Sequence, residues 1–465
     1  MKKVLFTAAV NPDVLAHNLY APLWPAYLAA YAEQHLPPQS VEFHWDVGPI
    51  APLLDRHRPD VLAISSVTHN YGYAEQYARE ARKRGIGVII GGPHISCLPQ
   101  SLTPAMDAAC IGEGEQTFVE LLQLFLATGR FDPTDLERIP GIAFAEGQQT
   151  GPRPTLPKLD DLPHPKRALI GYGYRAYVHT ARGCVNKCVF CATARLWGKI
   201  RYASADYILE ELDELVSRGV RVVRFADDDF ISNLPRLREI SEKVQRRGFH
   251  KRLRFSCWCR ANHVTPEVVR TLRAMSVVSV KFGLESGSQR ILDYLKGGVT
   301  VEQNRRAVVL MKEAGMQVNA DFIIGAPDET EAEMLETYKF IRKSPIDFFD
   351  VNVFSPLPNT PVWDLAQQRG LVNDKGMDWS RLNYKFVRDK QRAIHLSERL
   401  THGQLEQVNA RFERLRRWRN LQAVWRSPWL NELPMLALRA SWLALRRCTN
   451  GVLRLAGTQR PAALD

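Results

Sequence analysis

Arg182-Gly-Cys184-Val-Asn-Lys-Cys188-Val-Phe190-Cys191 is the stretch on which the reading of this chain turns. Its cysteines stand at Cys-x3-Cys-x2-Cys spacing. Three thiolates that close together can hold three corners of a cubane iron–sulfur cluster. No fourth cysteine follows nearby, so one iron keeps an open position. An open iron binds and activates a small molecule, whereas a fully ligated cluster mostly carries electrons. The competing reading of Cys184, Cys188 and Cys191 is a zinc site or three buried thiols. Zinc normally takes a fourth Cys or His at a short second spacing, and none is placed for it.

Outward from this loop, strand-like and helix-like segments alternate. Candidate strands lie at 174–180, 220–225, 253–258, 279–284, 319–324 and 350–354, with helices between them. Six such units predict a partial β/α barrel, and barrel active sites lie at the carboxyl ends of the strands. The cysteine loop follows the first strand, Asp227-Asp228-Asp229 the second, Arg260 the third, Glu285-Ser-Gly287 the fourth and Gly325-Ala-Pro327 the fifth. Chemistry-bearing residues on successive strand ends are hard to explain as packing.

The N-terminal part alternates too, with candidate strands at 3–8, 41–45, 60–66, 87–92 and 108–112. Short apolar strands between helices predict a doubly wound parallel sheet, which binds ligands at its carboxyl edge. Ser65, Ser66 and Thr68 follow the third strand, Gly91-Gly92-Pro93-His94 the fourth and Gly112-Glu113-Gly114-Glu115 the fifth. Paired glycines let a backbone come close to a ligand, although a Gly-Gly alone is more often a turn. A Pro- and Asp-rich stretch then reads as a linker. The expected organisation is an α/β chain: a Rossmann-like domain over 1–150, a linker over 151–168, a (β/α)6 barrel over 169–375, and helices over 376–465.

With Phe190 as the aromatic, Cys-x3-Cys-x-aromatic-Cys resembles the signature of the radical S-adenosylmethionine (SAM) enzymes. In that family the open iron chelates the amino and carboxylate groups of SAM, and an electron from the cluster cleaves SAM to methionine and a 5′-deoxyadenosyl radical. The resemblance implies a SAM site built from Phe190 near the adenine, Asp227 and Asp228 near the amino group, and Glu285 near the ribose or carboxylate. Arg260 would pair with the carboxylate, and Gly325 lies on the strand that reads the base. Phe190 equally fits core packing. Backbone carbonyls can replace the aspartates, and Arg260 and Glu285 equally fit ordinary rim ion pairs.

The Ser-rich, Gly-Gly-Pro-His and Gly-Glu-Gly-Glu segments together resemble the cobalamin-binding domain that precedes many radical SAM domains. On that resemblance Ser65, Ser66, Thr68, Gly91, Gly92, His94, Gly112, Glu113 and Gly114 contact the corrinoid and its nucleotide tail. The Asp-x-His-x-x-Gly motif of classical cobalamin proteins is absent; Asp13 to His17 has the wrong spacing. His94 fits a turn or tail contact better than a cobalt ligand.

The motif style is similar to the magnesium-protoporphyrin ester cyclase and hopanoid-modifying group. The two resemblances together imply a [4Fe–4S] cluster, SAM and cobalamin as cofactors, a flavodoxin- or ferredoxin-like reductant, and methylation of an unactivated carbon, whereas the cyclase-like style leaves a second reading without methyl transfer. Oxidative cyclisation without methyl transfer is the second enzyme reading, and a non-catalytic iron–sulfur or corrinoid regulator the third. The substrate class expected is a hydrophobic small molecule or lipid.

The 465 residues carry eight cysteines and a formal charge of +12. So few cysteines, three of them in one motif, argue for a reducing, cytoplasmic setting and against a disulfide framework. No segment is long and apolar enough to span a bilayer. Arginines crowd the C-terminal stretch from Arg411 to Arg460, interleaved with Trp418, Trp425 and Trp442. That pattern suits a solvated helix face or a helix covering the barrel, and equally peripheral membrane contact; no nucleic-acid partner is expected.

Overall fold

The computed structural model describes residues 1–10, 22–382 and 393–424, with side chains to residue 420. Asp13, His17 and most of the C-terminal arginine–tryptophan stretch lie outside these residues.

The first sheet has seven strands: β1 (Lys2–Ala8), β2 (Val41–Trp45), β3 (Val61–Ser65), β4 (Gly87–Gly91), β5 (Ala108–Cys110), β6 (Ile142–Phe144) and β7 (Gln148–Gln149), in the order β2-β1-β3-β4-β5-β6-β7. β1 to β5 are parallel, while β6 and β7 add an antiparallel edge. The central strands are apolar on both faces (Val4-Leu5-Phe6, Val61-Leu62, Val88-Ile89-Ile90, all buried) because helices cover both sides. That continuity makes β1 to β5 visible in the sequence. β6 is a three-residue strand and was not expected.

β8 (Arg175–Val178), β11 (Val222–Phe225), β12 (Arg254–Cys259), β13 (Val277–Glu285), β14 (Gln317–Ile324) and β15 (Phe348–Val353) form the second sheet, all parallel and in chain order. Helices between successive strands complete the open β/α barrel expected from the alternation. Between β8 and the helix Ala205–Ser217 lies a two-stranded ladder, β9 (Ala181–Arg182) with β10 (Arg201–Tyr202). The cysteine loop is the excursion this ladder closes.

The Pro-rich connector is strapped down. Arg167 is buried, donates to the Tyr177 carbonyl on β8, and pairs with the fully buried Glu211. The backbone N–H of Lys166 reaches the Ala26 carbonyl of the first domain.

The helix His402–Val424 buries Leu405, Val408, Phe412 and Leu415 against β15 and the helix Glu331–Lys343. It covers the barrel's edge strand, as an edge needs. Arg419 donates to the carbonyls of Ile341, Arg342, Ser344 and Ile346, capping that helix's negative end. Arg411 pairs with Glu331 and Arg416 with Glu413. These three arginines therefore serve packing. Among the described residues no helix is long and apolar enough to cross a membrane.

Candidate active site between two sheets

The cysteine loop runs over the carboxyl end of the barrel. Each thiol has a donor: Asn186 Nδ2 is 3.5 Å from Cys184 Sγ, Arg260 Nη1 is 3.3 Å from Cys188 Sγ, and Thr193 donates to Cys191. Burial pushes all three thiols up, and the neighbouring Asp228 carboxylate adds to this at Cys184 and Cys191. A cationic metal centre supplies what such buried thiols lack and deprotonates them outright. A cubane offers each thiolate its own iron corner, so these residues fit a [4Fe–4S] cluster with one iron unclaimed by protein.

Arg260 holds this loop against the barrel. Its Nη2 donates to the carbonyls of Lys296 (3.0 Å) and Gly297 (2.7 Å), and its Nε to Asn262 Oδ1 (3.1 Å). These carbonyls end the helix Gln289–Leu295, where the dipole favours a cation. The guanidinium expected to fork onto the SAM carboxylate is thus engaged by these carbonyls, by Asn262 and by Cys188.

The three aspartates lie in the loop after β11 and meet different partners. Asp227 is buried and accepts from the backbone N–H groups of Thr180 (2.7 Å) and Ala181 (3.0 Å) and from the Thr180 hydroxyl. It holds the start of the cysteine loop and does not line the cavity described below. Asp229 accepts from the Arg260 backbone and from His263 Nδ1. Asp228 faces open space, and burial together with Asp227 pushes its carboxyl up to about 6.

Glu285 sits at φ +62°, where a β-bulge interrupts the pairing of β13 with β14. Bulges re-aim side chains beside active sites, and a non-glycine residue there carries strain. The carboxylate folds back over Gly283; a Cβ at Gly283 would lie 2.3 Å from Glu285 Oε1. Lys296 Nζ lies 3.4 Å from the same oxygen and also binds the Gly283 carbonyl. Sequence reasoning missed Lys296, whose Lys-Gly-Gly setting reads only as a helix stop.

Gly325, at φ +83°, donates its N–H to Glu329 Oε2 (2.7 Å) and packs beneath Leu405. These protein contacts set its backbone conformation. Phe190 packs with the second hydrophobic cluster and does not line the cavity described next. Glu329 is buried, and burial pushes its carboxyl from 4.5 up to about 8. Between those values the folded chain holds a proton that the unfolded chain has released, so this group's contribution to stability falls as pH rises. Glu329→Gln is expected to remove that slope. Thermal melts at about pH 5 and about pH 8 check it: the wild type should lose more Tm between them than the variant.

A cavity of about 400 Å³ lies where the carboxyl edges of the two sheets face each other. From the first sheet come Ser65, Gly91, Gly92, Gly112, Glu113 and Gly114; from the barrel come His179, Arg182, Gly183, Thr193 and Asp228. Trp24, Tyr27, Leu28 and Trp197 add apolar walls. Gly92, at φ +99°, is needed for close approach, since a Cβ there would meet Ser65 Oγ at 2.7 Å and the Ser66 carbonyl at 2.8 Å. This is a glycine-lined crevice at a sheet's switch edge, the kind of cradle a corrinoid needs.

Three expected corrinoid contacts lie elsewhere. Ser66 and Thr68 are buried outside the cavity lining, Ser66 donating to the Val67 carbonyl. His94 is fully buried, stacked on Tyr71 and against Trp379, with Nε2 3.1 Å from Ser101 Oγ. Burial lowers its pKa to about 3. The helix Pro93–Cys97 starts immediately after Gly92 and turns His94 into the core. His179, which the sequence did not single out, faces the cavity instead. Enclosure by the crevice and the nearby Arg182 and Arg167 lower its pKa.

The pattern of the Radical SAM superfamily matches residues 178–341, and that of the B12 binding domain matches residues 15–122. An uncharacterized methyltransferase of Pyrococcus horikoshii is 32% identical over 349 residues, covering 71% of this chain and 74% of its own length. The chain belongs to the cobalamin-binding branch of the radical SAM superfamily.

An anaerobic magnesium-protoporphyrin IX monomethyl ester cyclase of Cereibacter sphaeroides is 25% identical over 436 residues, covering 88% of this chain and 69% of the relative. The fold is that of the radical SAM methyltransferase TsrM of Kitasatospora setae, with TM-score 0.69 at 18% identity over 88% of this chain and 89% of that one. As a radical SAM enzyme with a B12 binding domain, the chain takes a [4Fe–4S] cluster, SAM and cobalamin as its cofactors.

Proposed function

We propose that this radical SAM enzyme methylates an unactivated carbon of a small hydrophobic molecule bound between its two sheets. The observation that carries this reading is a cavity lined both by the glycine edge of the B12 domain and by residues flanking the cluster loop. When bound, the cluster supplies the electron that cleaves SAM and the corrinoid the methyl group that is transferred.

The chain's own residues do the positioning. Cys184, Cys188 and Cys191 hold the cluster, and Arg260 pins Cys188. Asp228 offers a carboxylate to the SAM ammonium, and the strained Glu285, with Lys296 beside it, to the ribose. Trp24, Tyr27, Leu28 and Trp197 exclude water, which protects radical chemistry from side reactions, and favour a hydrophobic substrate. Lys187, Arg195 and Lys199 are exposed on the cluster loop; a basic rim suits an acidic flavodoxin- or ferredoxin-like electron donor.

Anaerobic incubation with methyl-deuterated SAM, cobalamin, a reductant and candidate substrates tests the reading by mass spectrometry. A product carrying deuterium is expected. A product without deuterium and with hydrogen lost points to oxidative cyclisation in place of methyl transfer; the Cereibacter relative is named a cyclase.

A further inference from the structure

Arg182 and Arg201 stand directly opposite each other on the two-residue ladder that closes the cluster loop. Like charges facing across strands push a ladder apart, and two paired residues supply little to resist it. What sits between them comes from the other domain. Glu113 accepts from Arg182 Nη1 (2.9 Å) and from Arg201 Nη1 and Nη2 (3.0 and 2.6 Å), while Glu115 takes Arg182 Nη2 (2.6 Å). All four side chains are nearly enclosed, with exposures between 6% and 13%. Glu113 lines the cavity, but its carboxylate is engaged as the counter-ion of the cluster loop's stem.

We infer that Glu113 is a positioning residue that closes this stem and makes the cluster site respond to the corrinoid. Its neighbours Gly112 and Gly114 line the cavity, and the Gly112 N–H is fixed by Ser96, another lining residue. A corrinoid seated there bears on the turn that aims Glu113. Arg182 lies two residues before Cys184, so a shift of Glu113 passes directly to the cluster loop. A buried charge that loses its partner is strongly destabilising, so Glu113→Gln frees the stem to open.

The inference rests on the cluster reading and is tested on the full chain, reconstituted anaerobically with iron and sulfide. Iron release to a chelator is followed with and without hydroxocobalamin. The wild type is expected to release iron slowly, and more slowly still with cobalamin. Glu113→Gln should release it at least about tenfold faster and be indifferent to cobalamin. Adding Arg201→Gln to Glu113→Gln removes the repulsion while Glu115 still holds Arg182, and should restore most of the retention. Wild-type retention by Glu113→Gln, a persistent response to cobalamin in that variant, or no recovery in the double variant overturns the proposal. A wild-type chain that takes up no iron overturns the cluster reading itself and this proposal with it.

Discussion

Cys188→Ala is expected to abolish reductive SAM cleavage while leaving the apo-protein folded. Cys184, Cys188 and Cys191 act as one unit, and removing one member of a unit costs about as much as removing all. The expected fall in 5′-deoxyadenosine formation is on the order of 10³-fold or more. The same substitution removes little packing. Cys188 is half-buried in an irregular loop and meets Arg260 through one sulfur hydrogen bond. The apo-protein's stability should change by no more than about 1 kcal/mol. Iron and sulfide analysis, product chromatography and apo-protein melts separate the two effects. Wild-type cleavage by the variant would mean that a different centre does the chemistry.

Arg167→Met is expected to give the largest loss of stability. Arg167 Nε lies 3.1 Å from Glu211 Oε1, and the two side chains are 4% and 0% exposed. Burial raises the Glu211 carboxyl, Arg167 works against that rise, and Glu211 Oε2 has no partner. Without Arg167 a carboxylate is stranded in the core, at a cost of about 3–5 kcal/mol. Since protonation relieves that carboxylate, the loss should shrink as pH falls. Arg167→Met with Glu211→Met replaces the pair by apolar groups and should recover most of the loss. Chemical denaturation of the single and double variants measures this. Equal losses in both would place the cost in Arg167's bond to the Tyr177 carbonyl and not in the charge.

The architecture was legible because parallel strands buried on both faces write themselves as unbroken apolar runs, as in Val88-Ile89-Ile90 and Val222-Val223. The cysteine loop was legible because its spacing is local. Which neighbour each polar side chain meets was less so. Asp227, Asp228 and Asp229 look alike in sequence, yet the loop after β11 turns Asp228 to the cavity and its neighbours into hydrogen bonds at the cysteine loop's base and β12's end. Glu113 and His94 sit on glycine-rich turns, but their partners are remote: Glu113 meets Arg201, 88 residues away, and His94 packs on Trp379. Arg260 offered a fork, and the helix carbonyls it grips lie more than thirty residues on. Lys296 and His179 carried no local signal, since each gains its meaning from a bulge or a second domain.

Electron paramagnetic resonance of the reduced, anaerobically purified protein, recorded with and without SAM alongside metal analysis, tests the central claim most directly. Iron and sulfide with a cluster signal that changes when SAM is added is the predicted result, because an iron without a protein ligand would be open to SAM. Zinc in place of iron, or a cluster signal indifferent to SAM, would contradict it.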